Sequence, residues 1–223
     1  MTTAATPELR SALLDTFATM GSSGLNRGTS GNASLRLGDD PLRPDFLITP
    51  SGRPIEELAG EDLVVIRDGG TFEGSLEPSS EWRLHQDIYA AYPSAGAVLH
   101  AHSPFATSLA CQRREIPPFH YLIALFGGTN IRCAEYATFG TQELSDAAVA
   151  ALVDRRGCLL ANHGMVVHGR DLAHALSLAV QFETLCEQYW RTCQLAPPAL
   201  LTADEMAAAT LQFARYDKLV RRP

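Results

Sequence analysis

Apolar residues recur at helical spacing near the N-terminus, at Leu9, Leu13, Phe17 and Met20, which predicts an amphipathic helix over Leu9 to Met20. The pattern then changes period. Short apolar or alternating runs at Asn32 to Leu37, Phe46 to Thr49 and Leu63 to Ile66, separated by Gly, Pro and Asp, read as strands joined by tight turns. Such a run of short strands predicts hairpins, and hence a mixed or antiparallel sheet instead of repeated parallel units. Ala97-Val98-Leu99 and Cys158 to Asn162 add two buried strands, and Met165 to His168 is placed to pair with the second of them. Helices are expected at Ser80 to Ala91, Pro104 to Gln112, Glu143 to Arg155, Asp171 to Cys193 and Ala203 to Leu219. The mixture is an α/β chain, and 223 residues can bury a good core as a single domain, 1–223.

Candidate chemistry gathers at the ends of these elements. A strand alternates its side chains, so His100 and His102, closing the Ala97-Val98-Leu99 run, project from one face and can share a metal ion. His163 follows the later buried run directly, and three neutral imidazoles with an open position are a common layout for catalytic zinc. Pro78-Ser79-Ser80-Glu81-Trp82 reads as a helix start, with serines suited to the cap and an acidic residue to the first turn. Free amides and hydroxyls at Ser79 and Ser80 also suit an anion such as phosphate, and Glu81 beside it offers a carboxylate able to move protons or touch a metal.

Asn26 to Asn32 is rich in glycine and short polar residues, which lets backbone N–H groups turn toward one point. It is not a Walker loop, since no lysine follows, and it does not fit the dinucleotide fingerprint. Thr49-Pro50-Ser51-Gly52 reads as a tight turn. His85, one helical turn beyond Glu81, fits either of two roles: orienting that carboxylate, or packing on the helix. His120, His168 and His174 take a structural reading.

The formal net charge of −7 gives no nucleic-acid signature, and it does not oppose a phosphorylated substrate, because loops and a metal set the field at a site. Met1 to Thr6 lacks a basic segment followed by a long apolar one, so no signal peptide or membrane span is expected. The five cysteines are odd in number and contain no C-x-x-C pair, which suits reduced thiols and a cytoplasmic location.

Taken in order, five segments resemble the class II aldolase/adducin family. They are Gly28-Thr29-Ser30-Gly31-Asn32, Ile48-Thr49-Pro50-Ser51-Gly52, Pro78-Ser79-Ser80-Glu81, His100-Ala101-His102 and Asn162-His163-Gly164. The likeness continues through Ile116-Pro117 with His120-Tyr121, Tyr136-Ala137-Thr138-Phe139-Gly140-Thr141 and Glu143-Leu144-Ser145, so it spans nearly the whole chain.

The resemblance implies a three-layer α/β/α fold whose central sheet is mixed and largely antiparallel, assembled as a homotetramer with active sites at subunit interfaces. It implies one Zn2+ per subunit on Glu81, His100, His102 and His163, a site that Mn2+, Fe2+ or Co2+ can also occupy. Glu81 would be the catalytic acid/base, and Tyr121, reaching from a neighbouring subunit, would act on the hydroxyl of the aldehyde half. Thr29, Gly31, Asn32, Ser51, Gly52, Ser79 and Ser80 would hold the substrate phosphate, and Phe139, Phe213 and Tyr216 would shape the aldehyde pocket. The implied reaction is reversible cleavage of a ketose 1-phosphate to dihydroxyacetone phosphate and a small aldehyde. L-Fuculose 1-phosphate or a similar deoxy- or methylthio-pentulose 1-phosphate is the implied substrate.

Cleaving a carbon–carbon bond beside a ketone leaves an enolate, whose oxygen something positive must hold. A lysine Schiff base is one solution, but the only lysine is Lys218, close to the C-terminus, so the metal route is expected. The family also contains metal-dependent pentulose-phosphate epimerases, sugar-acid phosphate decarboxylases and a dehydratase. Epimerases carry Asp where this chain has Glu81 and decarboxylases differ at Ser80, so Pro78-Ser79-Ser80-Glu81 favours the aldolase. A non-catalytic adducin-like binding module would show degenerate metal positions, whereas all four stand here. Ser30 departs from the aldolase pattern, which carries alanine there.

Overall fold

The computed structural model describes residues 4–38, 40, 44–67 and 70–220, the last five by backbone alone. Among the described residues, eight strands form one sheet: β1 (Asn32–Arg36), β2 (Phe46–Ile48), β3 (Val64–Ile66), β4 (Phe72–Glu73), β5 (Ala97–Ala101), β6 (Cys133–Ala134), β7 (Gly157–Leu160) and β8 (Gly164–Gly169). Their order across the sheet is β4-β3-β2-β1-β5-β8-β7-β6. Neighbours run antiparallel except β6 and β7, which are parallel.

Among the described residues, six α-helices cover the faces: α1 (Pro7–Ser22), α2 (Trp82–Ala91), α3 (Pro104–Ala110), α4 (Gln142–Ala151), α5 (Leu172–Leu195) and α6 (Ala203–Val220). The period-two alternation of the strands divides the core between them. Ala33, Leu47, Val65, Leu99, Leu159 and Val167 pack with Leu13, Phe17 and Met20 of α1 and with Leu178 and Phe182 of α5. Phe46, Ile48, Val64, Val98, Leu160 and Val166 pack on the other face with Leu84, Ile88 and Tyr89 of α2 and Leu144 of α4. The fold is therefore a three-layer α/β/α arrangement on a mixed, largely antiparallel sheet. Strands of three residues such as β2 and β3 have few ladder bonds of their own. All six of their side chains are buried, each contributing on the order of 1.5–3 kcal/mol, and that burial keeps these strands in place.

The expected helices all form, with shifted ends. The fourth stops at Ala151 instead of Arg155, where Asp154 takes a left-handed backbone (φ 58°) and turns the chain toward β7. Strand β7 ends at Leu160, so Ala161 and Asn162 belong to a turn and not to the strand expected through Asn162. A 3-10 helix over Tyr121–Phe126 and the two-residue strands β4 and β6 are too short to leave a period in the sequence. No helix among the described residues is long and apolar enough to cross a membrane.

His168 has the structural role expected of it. Its ring stacks on Tyr92 (4.7 Å between centroids, 19° between planes), and Nε2 lies 3.0 Å from the Arg155 carbonyl oxygen, to which it donates. Burial pushes its pKa down to about 4. The unfolded chain titrates at about 6.5, so its stabilising contribution is complete above that pH and falls as the pH drops toward 4, by on the order of 3 kcal/mol. In urea titrations from pH 7 to pH 4, His168→Gln is expected to remove about that much of the acid-induced loss of stability. An identical pH profile in wild type and variant would exclude His168 as the titrating group.

Candidate active site

The register of the sheet brings the first polar residues together. Asn32 of β1 stands opposite His100 of β5, and His100 stands opposite Val166 of β8. His102 lies just past the end of β5, where the chain enters α3. That junction is tied to α5: Glu183 accepts from Ser103 Oγ (2.6 Å) and from the backbone N–H of Phe105 (2.8 Å) and Ala106 (2.9 Å). His163 sits in the three-residue turn between β7 and β8, not on a strand. The turn works because Asn162 accepts a left-handed backbone (φ 54°), as short polar residues do, and His163 N–H donates to Leu160 O at 3.0 Å. Gly164 then starts β8 where a Cβ would collide with the Ala101 carbonyl oxygen and crowd His102.

Glu81 is the N-cap of α2 and not part of its first turn, and its side chain caps nothing. It turns inward instead. Its Oε2 lies 3.2 Å from His100 Nε2 and 2.9 Å from Asn32 Nδ2, and its Oε1 lies 3.3 Å from His163 Nε2. His100 and His102 bring their Nε2 atoms to 2.9 Å, and the three ring centroids are 4.7–4.8 Å apart. One ligand atom from each of Glu81, His100, His102 and His163 fits within 4.8 Å.

The donor chemistry of this cluster fits a divalent metal. His100 Nδ1 donates to Met165 O at 2.8 Å, which leaves the Nε2 lone pair facing the other three groups. Glu81 Oε1 is buried with no hydrogen-bond partner. Burial, together with charge repulsion from His100, lowers His102 and His163 to about 4, so both are neutral near pH 7. For His100 burial also favours the neutral ring, but the Glu81 carboxylate outweighs it and raises the pKa. Burial raises Glu81, and the attraction of His100, its hydrogen bond, His163 and the Asn32 amide outweigh that and hold Glu81 well below the usual carboxylate range. Three imidazole nitrogens and an ionised carboxylate converging on one point form a donor set for a transition ion.

The cluster opens into a cleft of about 350 Å³. Thr29, Gly31, Asn32, Ser51, Gly52, Ser79 and Ser80 all line it, with Phe139 at the rim and Glu81, His102 and His163 at the floor. The three polar turns are knit together. Ser51 N–H donates to Glu77 O (3.0 Å) and Ser79 N–H to Thr49 O (3.1 Å), and Gly31 packs on buried Asn26 where a Cβ would clash. No lysine or arginine lines this cleft among the described residues, so an anion there meets N–H and hydroxyl groups.

Tyr121 and Phe213 are elsewhere. They stack on each other (6.0 Å, 10°) around a separate apolar hollow with Ala209 and Gln212. The side chain of Tyr216 lies outside the described residues. Tyr136 and Asn162 line the cleft without having been assigned from the sequence, and Arg113 braces both. Its Nε donates to Asn162 Oδ1 (2.6 Å), and its guanidinium lies 5.4 Å from the centre of the Tyr136 ring. His85 is fully buried and touches Asn32, not Glu81.

Residues 11–190 match the family described as Class II Aldolase and Adducin N-terminal domain. The 5-methylthioribulose-1-phosphate/5-deoxyribulose-1-phosphate aldolase of Rhodospirillum rubrum is 49% identical over 215 residues, 96% of this chain and 95% of that one. The L-fuculose phosphate aldolase of Escherichia coli is 40% identical over 205 residues, 92% of this chain and 93% of that one. A solved L-fuculose 1-phosphate aldolase superposes with a TM-score of 0.89 at 34% identity, covering 94% of this chain and 98% of that one. The chain belongs to the class II aldolase and adducin family. Similarity to aldolases along nearly its whole length places it among that family's enzymes, as a lyase.

Elemental analysis of protein purified without chelator is expected to find about one divalent transition ion per chain. His163→Ala, which removes a donor carried on a turn, is expected to weaken metal binding by more than the roughly 10–100-fold typical of losing a residue that only braces a ligand. Full metal occupancy in that variant at micromolar metal would remove His163 from the set.

Proposed function

We propose that this protein is a zinc aldolase that reversibly splits a ketose 1-phosphate into dihydroxyacetone phosphate and a short aldehyde. The observation that carries the reading is the meeting of three groups in one cleft: a Glu81–His100–His102–His163 donor set, a carboxylate able to move a proton, and three turns rich in N–H and hydroxyl groups. A 5-deoxy- or 5-methylthio-pentulose 1-phosphate ranks ahead of L-fuculose 1-phosphate, because the relative acting on the former is 49% identical and the latter 40%.

In this reading the hydroxyls of Ser51, Ser79 and Ser80 and the turns at Thr29, Gly31, Asn32 and Gly52 hold the phosphate. The bound ion supplies a Lewis acid for the ketone end of the substrate. The C3–C4 bond breaks, its electron pair passing toward the C2 carbonyl oxygen, while the C4 hydroxyl loses its proton and becomes the aldehyde. Glu81, after taking up a proton from solvent, delivers it to C3 and completes dihydroxyacetone phosphate; in the synthetic direction its carboxylate removes a C3 proton. Phe139 shapes the site of the departing aldehyde from within the cleft, and Phe213, stacked on Tyr121, joins it from a neighbouring subunit.

Tyr121, from across a subunit interface in a homotetramer, takes up the C4 hydroxyl proton as it releases its own to solvent. It is about half exposed and stacked on Phe213 away from its own chain's cleft, which supports a role in a neighbour's site. A second reading gives this proton to Tyr136, which does line its own cleft. All five cysteines are free thiols, which supports a reducing, cytoplasmic setting.

Triose phosphate release, coupled to glycerol-3-phosphate dehydrogenase, tests the reaction. Wild type is expected to turn over at least one of 5-methylthioribulose, 5-deoxyribulose and L-fuculose 1-phosphates. Glu81→Gln is expected to lower kcat by about 10²–10⁴-fold, and EDTA to abolish turnover. A flat trace from zinc-loaded wild type with all three sugars would overturn the proposal and turn attention to epimerisation of L-ribulose 5-phosphate. Co-expression of Glu81→Gln with Tyr121→Phe is expected to restore activity that neither variant has alone. No recovery, with Tyr136→Phe inactive and Tyr121→Phe active, would transfer the role to Tyr136.

A further inference from the structure

We infer that His85 is a positioning residue for Glu81, acting through the side-chain amide of Asn32. The inference rests on the proposed role of Glu81 as the proton carrier. Asn32 and Ser34 lie two apart on β1 and face α2, while His85 and Tyr89 lie four apart on α2 and face β1. Two strand residues advance about 6.6 Å and four helical residues about 6 Å, so the two pairs meet in register. Tyr89 Oη lies 2.8 Å from Ser34 Oγ, Ser34 Oγ 2.6 Å from His85 Nδ1, and His85 Nε2 2.5 Å from Asn32 Oδ1. Asn32 Nδ2 then donates to Glu81 Oε2 at 2.9 Å. His85 and Ser34 are completely buried and Asn32 is nearly so, so water does not substitute for any link.

The direction of every hydrogen bond in this chain follows from its end. An ionised carboxylate only accepts, so Asn32 presents its amide N–H to Glu81 and its carbonyl oxygen to His85. His85 must therefore carry its proton on Nε2. Burial keeps the ring neutral, so Nδ1 is an acceptor; Ser34 donates to it, and Tyr89 donates to Ser34. Turning the Asn32 amide over would set its oxygen against the carboxylate and its N–H against the N–H of His85. His85 thus locks the amide in the one orientation that holds Glu81. Held at Oε2, the carboxylate keeps Oε1, which no donor reaches, as the oxygen facing His163.

Exchange of the C3 hydrogen of dihydroxyacetone phosphate with D2O, followed by NMR, isolates the proton transfer of Glu81 from aldehyde chemistry. His85→Leu, which fills similar space with no donor or acceptor, is expected to lower kcat for exchange by about 10–100-fold. KM for dihydroxyacetone phosphate is expected to stay within about threefold of wild type, and metal content to stay stoichiometric. His85→Gln, which restores a donor to Asn32 Oδ1, is expected to recover most of the rate. Wild-type exchange in His85→Leu overturns the inference, as does a joint loss of kcat and affinity that Gln fails to rescue. Should His85→Leu not fold, Ser34→Ala decides: a severalfold lower kcat with unchanged KM supports the chain, and an unchanged kcat overturns it. Wild type that exchanges no deuterium overturns the aldolase reading itself, and the role of His85 with it.

Discussion

Three imidazole Nε2 atoms and an ionised carboxylate face one another across a space of 4.8 Å, and apart from His100, whose pKa the carboxylate raises, none has a proton to share with the rest. His100 spends its N–H on the Met165 carbonyl, and His102 and His163 are held neutral by burial and by the charge on His100. Much of the local backbone serves to hold this convergence of acceptors. The register of β1, β5 and β8 places Asn32, His100 and Met165 around it. The left-handed Asn162 turns His163 inward, and the missing Cβ of Gly164 lets β8 approach the end of β5. Only a cation, whether a metal or a proton on His100, makes these four groups mutually attractive.

The two faces of the sheet differ for the same reason. The face toward α1 and α5 is packed with apolar side chains, and its alternation is uninterrupted. The face toward α2 carries Asn32, Ser34 and His100 in its middle, all buried, between apolar strands on either side. Polar groups persist there because each finds a partner: Ser34 in His85 and Tyr89, Asn32 in His85 and Glu81, His100 in Met165. Removing one partner strands another buried group, at roughly 1–3 kcal/mol each.

The sequence made the helices, the central strands and the metal cluster legible because each left a local mark: a 3.6 or 2 period, or imidazoles at alternate positions. It left His85 ambiguous because its helical position, one turn past Glu81, suggests a direct contact that the fold replaces with a bridge through Asn32 on another strand. No local pattern announces that a strand asparagine 49 residues before Glu81 holds its carboxylate. Tyr136 and Arg113 escaped for a related reason. Their value depends on a loop returning to the cleft after β6 and on a left-handed residue, Arg113 itself at φ 51°, neither of which has a periodic signature.

The cleft is also uneven in a way that bears on specificity. Its inner end is built from backbone turns and small hydroxyls, which suit an anion of fixed shape and owe nothing to flexible cationic side chains. Its outer end is marked by Phe139, about two-thirds exposed, while Tyr121 and Phe213 stand apart on the surface. Turns braced by backbone hydrogen bonds form the inner end, whereas Tyr121 and Phe213 stand clear of the Glu81–histidine cluster and can vary without disturbing it.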